Sequence, residues 1–313
     1  MKAFKISLAA VVVLAIIIFV IWSLIDTGRE GEIALPKNQF TERIENEINA
    51  ISQHPDTKFC REAYDNVMYL IDDYYKPLPP TYPYGRYGNT QSENDQWKNN
   101  LTKNLYAVYA EKFISQSFNR FLGTEWNIAD LNFIRRECQS LRKSSLLEKG
   151  SPVDKKFTEI QTILGKHDEI AGFISECKGF SYSSSSLSDR FPISDVQNKI
   201  NQATTYLNSS LGNGYINNCA RLHVGLKEIP QALFNAHVRY LDKKINDWSD
   251  LYPNYNSQSD YANNLYRPIK GEIDALDNDM YNVTNFDSEY QRLSNKWSAD
   301  NIKAFNFSFP ARH

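Results

Sequence analysis

Lys149 to Cys177 reads KGSPVDKKFTEIQTILGKHDEIAGFISEC, and the fold class follows from this stretch. Ser151 offers a side-chain oxygen as N-cap, and Pro152 stands at the first helical position, where a missing N–H breaks no bond. Phe157, Ile160, Ile163, Leu164, Ile170, Phe173 and Ile174 then recur at helical spacing, which makes one apolar stripe along a long helix.

The same period continues on both sides. Toward the N-terminus, Ile128, Leu131, Ile134, Cys138 and Leu141 stay in phase over a helix expected from about 127 to 147. Before it, Trp97, Leu101, Leu105 and Val108 hand over to Phe113, Ile114, Phe118 and Phe121 in a helix expected over about 93–122. Phe40, Ile44, Ile48 and Ile51 mark one earlier helix, and Phe59, Ala63, Val67, Leu70, Ile71 and Tyr74 mark the next. Toward the C-terminus, helices are expected over about 193–210, 215–248 with a kink at Pro230, 260–276 interrupted at Pro268, and 288–304. No strand alternation appears. The expectation is an all-α protein, its body an elongated antiparallel helical bundle.

A different signal occupies the start of the chain. Ile6 to Ile25 is ISLAAVVVLAIIIFVIWSLI, twenty residues without a charge. As a helix it would be roughly 30 Å long, the thickness of a bilayer's hydrocarbon core. Fourteen of its residues are Leu, Ile, Val or Phe, so insertion gains on the order of 4 to 8 kcal/mol. The run exceeds a signal peptide's apolar stretch, and Trp22, Leu24 and Ile25 suit a cleavage site poorly. No cysteine follows it to carry a lipid. The reading is an uncleaved signal-anchor, a single transmembrane helix. Lys2 and Lys5 precede it, while Asp26, Glu30 and Glu32 follow it against Arg29 and Lys37, which favours a cytoplasmic N-terminus and a translocated body. The organisation expected is a cytoplasmic tail at 1–5, the anchor at 6–25, a linker at 26–37 and an extracytoplasmic helical domain at 38–313, with a sub-boundary near 250–258.

Composition narrows the function. Thirty-five Lys and Arg balance 37 Asp and Glu for a net charge of −2 over 313 residues, without the basic stripe of a nucleic-acid footprint. Asn100, Asn208, Asn282 and Asn306 begin sequons that matter only in a glycosylating host. Four cysteines, Cys60, Cys138, Cys177 and Cys219, all lie beyond the anchor and none forms C-x-x-C. Two disulfides are expected in a translocated body, the alternative being four buried free thiols. Up-and-down connectivity favours Cys60–Cys177 and Cys138–Cys219, each closing a loop of roughly 80 to 120 residues and contributing up to about 4 to 5 kcal/mol.

Catalytic spacing is absent. The five histidines, His54, His167, His223, His237 and His313, fall in no metal-ligand motif. Cys219 and His223 are four apart, the spacing of a thiolate–imidazole pair on a helix, but a cysteine beside a surface histidine is the plainer reading. The carboxylate pairs Asp72 with Asp73, Asp168 with Glu169, and Glu272 with Asp274 are ordinary for solvated helices. Gly85-Arg86-Tyr87-Gly88 lacks the lysine and the strand of a P-loop. No catalytic residue, metal site or cofactor is assigned.

One loop has the chemistry of an interface. Pro77 to Gln91, PLPPTYPYGRYGNTQ, holds Tyr82, Tyr84, Arg86 and Tyr87 between prolines. Tyr and Arg are enriched among hot-spot residues, and proline limits the ordering cost; the plainer reading packs the same tyrosines over the bundle end. Three functions are therefore weighed. The first is a non-enzymatic adaptor or scaffold held to the bilayer through residues 6–25, with a protein partner in the cell envelope. The second is a sensor or receptor subunit with a small molecule between its helices. The third is an envelope hydrolase using carboxylates.

Overall fold

A computed structural model describes residues 37–74, 91–183, 186–210, 214–249 and 258–305. Every regular element among them is helical. The anchor sequence Ile6–Ile25, the tyrosine loop with Tyr82, Tyr84, Arg86 and Tyr87, and the sub-boundary at 250–257 lie outside the described residues. No described helix is long and apolar enough to cross a membrane. The chain divides into two compact units, 1–116 with 144–148, and 117–143 with 149–313.

In the first unit α1 (Lys37–Ser52) and α2 (Arg61–Tyr74) form a hairpin, and most of α3 (Gln91–Phe121) belongs with them. The stripe read from sequence is the core: Phe40, Ile44, Ile48, Ile51, Val67 and Ile71 are buried with Leu101, Leu105, Tyr109 and Phe113 of α3. At one end Phe40 stacks on Tyr74, and Trp97 meets both edge-on. At the other end the buried Gln116 amide donates to the carbonyls of Pro55 and Lys58, and its Oε1 accepts from the Cys60 thiol at 3.5 Å. One side chain thus satisfies the backbone of the α1–α2 turn, which would otherwise be left bare in an apolar setting. Lys112 anchors the same turn through Asp56 at 2.7 Å.

The second unit contains the end of α3, then α4 (Ile128–Lys143), α5 (Pro152–Lys178), α6 (Ile193–Asn208), a 3₁₀ turn at Ile216–Asn218, α7 (Ala220–Lys227) and α8 (Ile229–Ser249). It closes with α9 (Gln258–Tyr261), a π turn (Ala262–Tyr266), α10 (Arg267–Asp274), α11 (Asn278–Tyr281) and α12 (Phe286–Phe305). α8 is the hub and touches α5, α6, α7, α10, α11 and α12. Ile229, Leu233, Phe234, Val238, Leu241 and Ile245 are accordingly buried over a wide face of it, while Asn235, Arg239 and Lys243 stay exposed on the other.

Two boundaries differ from the sequence reading and a third agrees with it. α4 stops at Lys143, because the Ser144 hydroxyl accepts the Leu146 N–H and turns the chain. The long helix expected from Tyr215 to Trp248 is two, α7 and α8, broken at Glu228. Pro230 in the first turn of α8 has no N–H to donate, and its ring would crowd the carbonyl four residues earlier. Pro268 likewise stands at the start of α10 after a π turn, the interruption expected there.

The disulfides are a larger correction. Cys60, Cys138, Cys177 and Cys219 are four buried free thiols. Cys138 Sγ donates to the Phe157 carbonyl at 3.6 Å, and burial pushes its pKa up to about 12. The expected pairing of Cys138 with Cys219 assumed a helix running through Cys219. Instead Cys219 is the extended N-cap of α7, with φ −77° and ψ 92°. Cys60 belongs to the first unit and Cys177 to the second.

Candidate functional site

A groove of about 1100 Å³ lies in the second unit, between α5, α7 and the segment from Glu125 to Ile128. α5 supplies its floor because it has two faces. Its cap forms as read: Ser151 Oγ accepts the Asp154 N–H, Asp154 accepts the Gly150 N–H at 3.0 Å, and Arg142 of α4 reaches the same carboxylate at 3.1 Å. Those contacts hold Asp154 below the usual carboxylate range, the Gly150 hydrogen bond most of all. Phe157, Ile160, Ile163, Leu164, Ile170, Phe173 and Cys177 then fill the core, and His167, Ala171, Ile174, Ser175 and Lys178 face the groove.

α7 can lie against that floor only because Gly225 has no side chain. A Cβ there would come within 2.9 Å of Ile174 Cδ1 and 3.0 Å of its Cγ2. At the far end, Trp126 Nε1 donates to the Gly123 carbonyl, and the Trp126 ring lies nearly parallel to His167 with centroids 5.5 Å apart. Ala220 N–H donates to the Thr124 carbonyl at 2.8 Å, tying the start of α7 to this loop. His167 Nδ1 sits 3.2 Å from Asp168, whose two carboxylate oxygens both accept from Arg135 Nη2.

The groove's surface is unusual in what it leaves uncovered. Ile128 and Val224 line it and are each 54% exposed. At its rim Lys178 and Glu228 pair with each other. Glu125 and Arg221 are exposed and form no ion pair among the described residues. Cys219 lies at the base, 1% exposed. Its pKa is raised because burial outweighs the backbone N–H groups of Leu222, Arg221 and Trp126 around the sulfur. His223 meets Cys219 only through its backbone N–H to the Cys219 carbonyl.

The carboxylate pairs read from sequence are tied to cations in separate places. Asp72 pairs with Lys98, Asp168 with Arg135, Glu169 with Lys166, Glu272 with Lys244 and Arg190, and Asp274 with Lys270. No group of three or more His, Cys, Asp or Glu with metal-binding geometry occurs among the described residues. A second polar feature sits deep in the unit. The Lys244 side chain of α8 is 0% exposed, and its ammonium donates to Glu272 Oε1 at 2.6 Å, the Asp189 carbonyl at 2.6 Å and Tyr240 OH at 2.9 Å. Nearby, His237 bonds Tyr281 OH at 3.0 Å and stacks on Phe191. Burial lowers its pKa to about 3.

Sequence reasoning missed the groove. Ile128 is in phase with the buried Leu131, yet it lines the groove from the first turn of α4. Val224 is the odd member of ARLHVGLK: Leu222 and Leu226 take the buried face, and a residue two positions from each points away. No family model matches the chain, and no curated protein or solved structure matches it either.

Proposed function

We propose that the chain is a membrane-anchored binding module of the cell envelope, without enzymatic activity of its own, which engages a partner through the α5–α7 groove. The observation that carries this is the exposure of Ile128 and Val224 beside a floor that includes Ala171 and Ile174. A large aliphatic side chain left in water on the wall of a concavity gains free energy when something covers it. Small-molecule sites bury most of their ligand's surface, and a groove with two half-bare walls suits a macromolecule better. The sensor reading draws on the Trp126–His167 stack, which offers an aromatic end to a ligand. The hydrolase reading has little to draw on, since Glu228, one of the two carboxylates lining the groove, is paired with Lys178.

The anchor is the hydropathy of Ile6–Ile25, and the orientation rests on Lys2 and Lys5, since four free thiols give no argument for an oxidising compartment. Two measurements test the proposal. The full chain resists alkaline extraction from membranes, and deletion of residues 1–25 releases it; release of the full chain would overturn the anchor. A photo-crosslinking residue at position 224 traps a protein in native membranes, and one at the exposed Lys155 does not. Equal yields at both positions would overturn the groove as the docking surface.

A further inference from the structure

Resting on that reading, the geometry points to one kind of occupant: we infer that the groove receives a single amphipathic helix of a partner protein, about three turns long. Its length comes from α5, whose groove-facing residues run from His167 to Lys178, about 17 Å at helical rise. That span accommodates apolar anchors at i, i+3 or i+4, and i+7, the spacing by which a helix fills a hydrophobic groove. Gly225 lets α7 sit against Ile174 of the floor, and Ile128 and Val224, which line the groove half exposed, offer aliphatic surface for such a helix to cover.

Charge gives the partner its chemistry. Lys178 and Glu228 neutralise each other at one end. At the other end Arg221 stands in the first turn of α7, where the helix dipole disfavours a cation. That turn contains no acidic residue to compensate it. Glu125, on the loop bonded to the start of α7, likewise forms no ion pair among the described residues. The complementary helix carries an acidic residue to meet Arg221 and a basic one to meet Glu125, both near the Trp126 end, with the remainder of that face apolar. Rim charges of this kind select the partner and its orientation more than they add affinity.

The test uses the full chain in lipid nanodiscs and a fluorescent, helix-stapled peptide of about 14 residues. The peptide has Leu at the anchor positions, with Glu and Lys at the end that meets Arg221 and Glu125. Micromolar binding is expected, weakened about tenfold by Val224→Asp and by Arg221→Glu. A second peptide with Lys in place of that Glu restores the loss in the Arg221→Glu chain and not in wild type. Absence of saturable binding, or indifference to either substitution, would overturn the inference. So would displacement of the peptide by dodecanoate with the same dependence on Arg221, or self-association of the chain that Val224→Asp abolishes. If position 224 still crosslinks a protein in membranes while no peptide binds, the docking reading stands and the helical partner falls.

Discussion

The α5–α7 groove and the cluster around Lys244 belong to one unit and invert the usual arrangement in opposite senses. In the groove, Ile128 and Val224 each leave about half of their surface in water. In the cluster, a lysine with no exposed surface lies in the core, and every proton of its ammonium has an acceptor: Glu272, the Asp189 carbonyl and Tyr240. Apolar surface outside is a loss recovered only when a second molecule arrives. A charge inside is a loss recovered within the chain, by joining α8 and α10 to the segment before α6. The cluster therefore serves this fold and the groove serves another molecule.

The largest effect should come from breaking the closed member of the pair. Lys244→Met leaves the Glu272 carboxylate buried with Arg190 alone, and its Oε2 is already without a partner. Removing one side of a buried ion pair costs about 3 kcal/mol or more. Denaturant unfolding of Lys244→Met measures it, and joint substitution with Glu272→Leu should recover part of the loss. A cost below about 0.5 kcal/mol would mean that the cluster holds nothing together.

Acid provides the next test. His237 titrates at about 3 in the folded protein against an ordinary 6.5, so protonation favours the unfolded chain. Its contribution is complete above about pH 6.5 and falls by about 1.4 kcal/mol per unit as pH drops toward 3. A loss of about 2 kcal/mol at pH 5 is expected, absent from His237→Phe. Asp154 and Asp242 have lowered values, so their losses come only at more acid pH. Unfolding that is flat between pH 7 and 5 would show that water reaches His237.

How much of this was legible in sequence follows the same division. Ser151 and Pro152 announced α5, and its apolar stripe, apart from Ile174 on the groove, proved to be its core face, because caps and periodicity are local. The hairpin of α1 and α2 was legible for the same reason. Cys138 and Cys219 were not, because their separation depends on where α7 begins, and the loop to its N-cap is set by the Ala220 bond to Thr124. Lys244 reads as a surface residue until Glu272, 28 positions later, is brought against it. Ile128 reads as core because period alone cannot say whether anything covers the first turn of a helix.

Gly225→Ala bears on how the groove is made. Alanine favours a helix by about 1 kcal/mol over glycine, yet its Cβ would press on Ile174. Overpacking of this sort costs about 1 to 3 kcal/mol, so a net loss of about 1 kcal/mol is expected. Ile174→Val removes the nearest methyl and should relieve it in the double variant. A stabilised Gly225→Ala chain would show that α7 does not rest on α5 there.

The smallest expected effect is the most discriminating. Ile128→Ser with Val224→Asp removes two aliphatic side chains, which in a core would cost several kcal/mol. Both are more than half exposed, and surface substitutions of this kind change stability within about 0.5 kcal/mol. The double variant should therefore unfold with the wild-type midpoint and slope while the crosslink at the groove disappears, reported from position 175 in place of 224. Ser175 lines the same groove and leaves both substitutions free to act. Loss of more than about 1 kcal/mol would mean that these side chains are covered by the chain itself in solution. The groove would then be a second closed region, and the contrast with Lys244 would vanish. Unchanged stability with an unchanged crosslink would keep the contrast in structure and remove it from function.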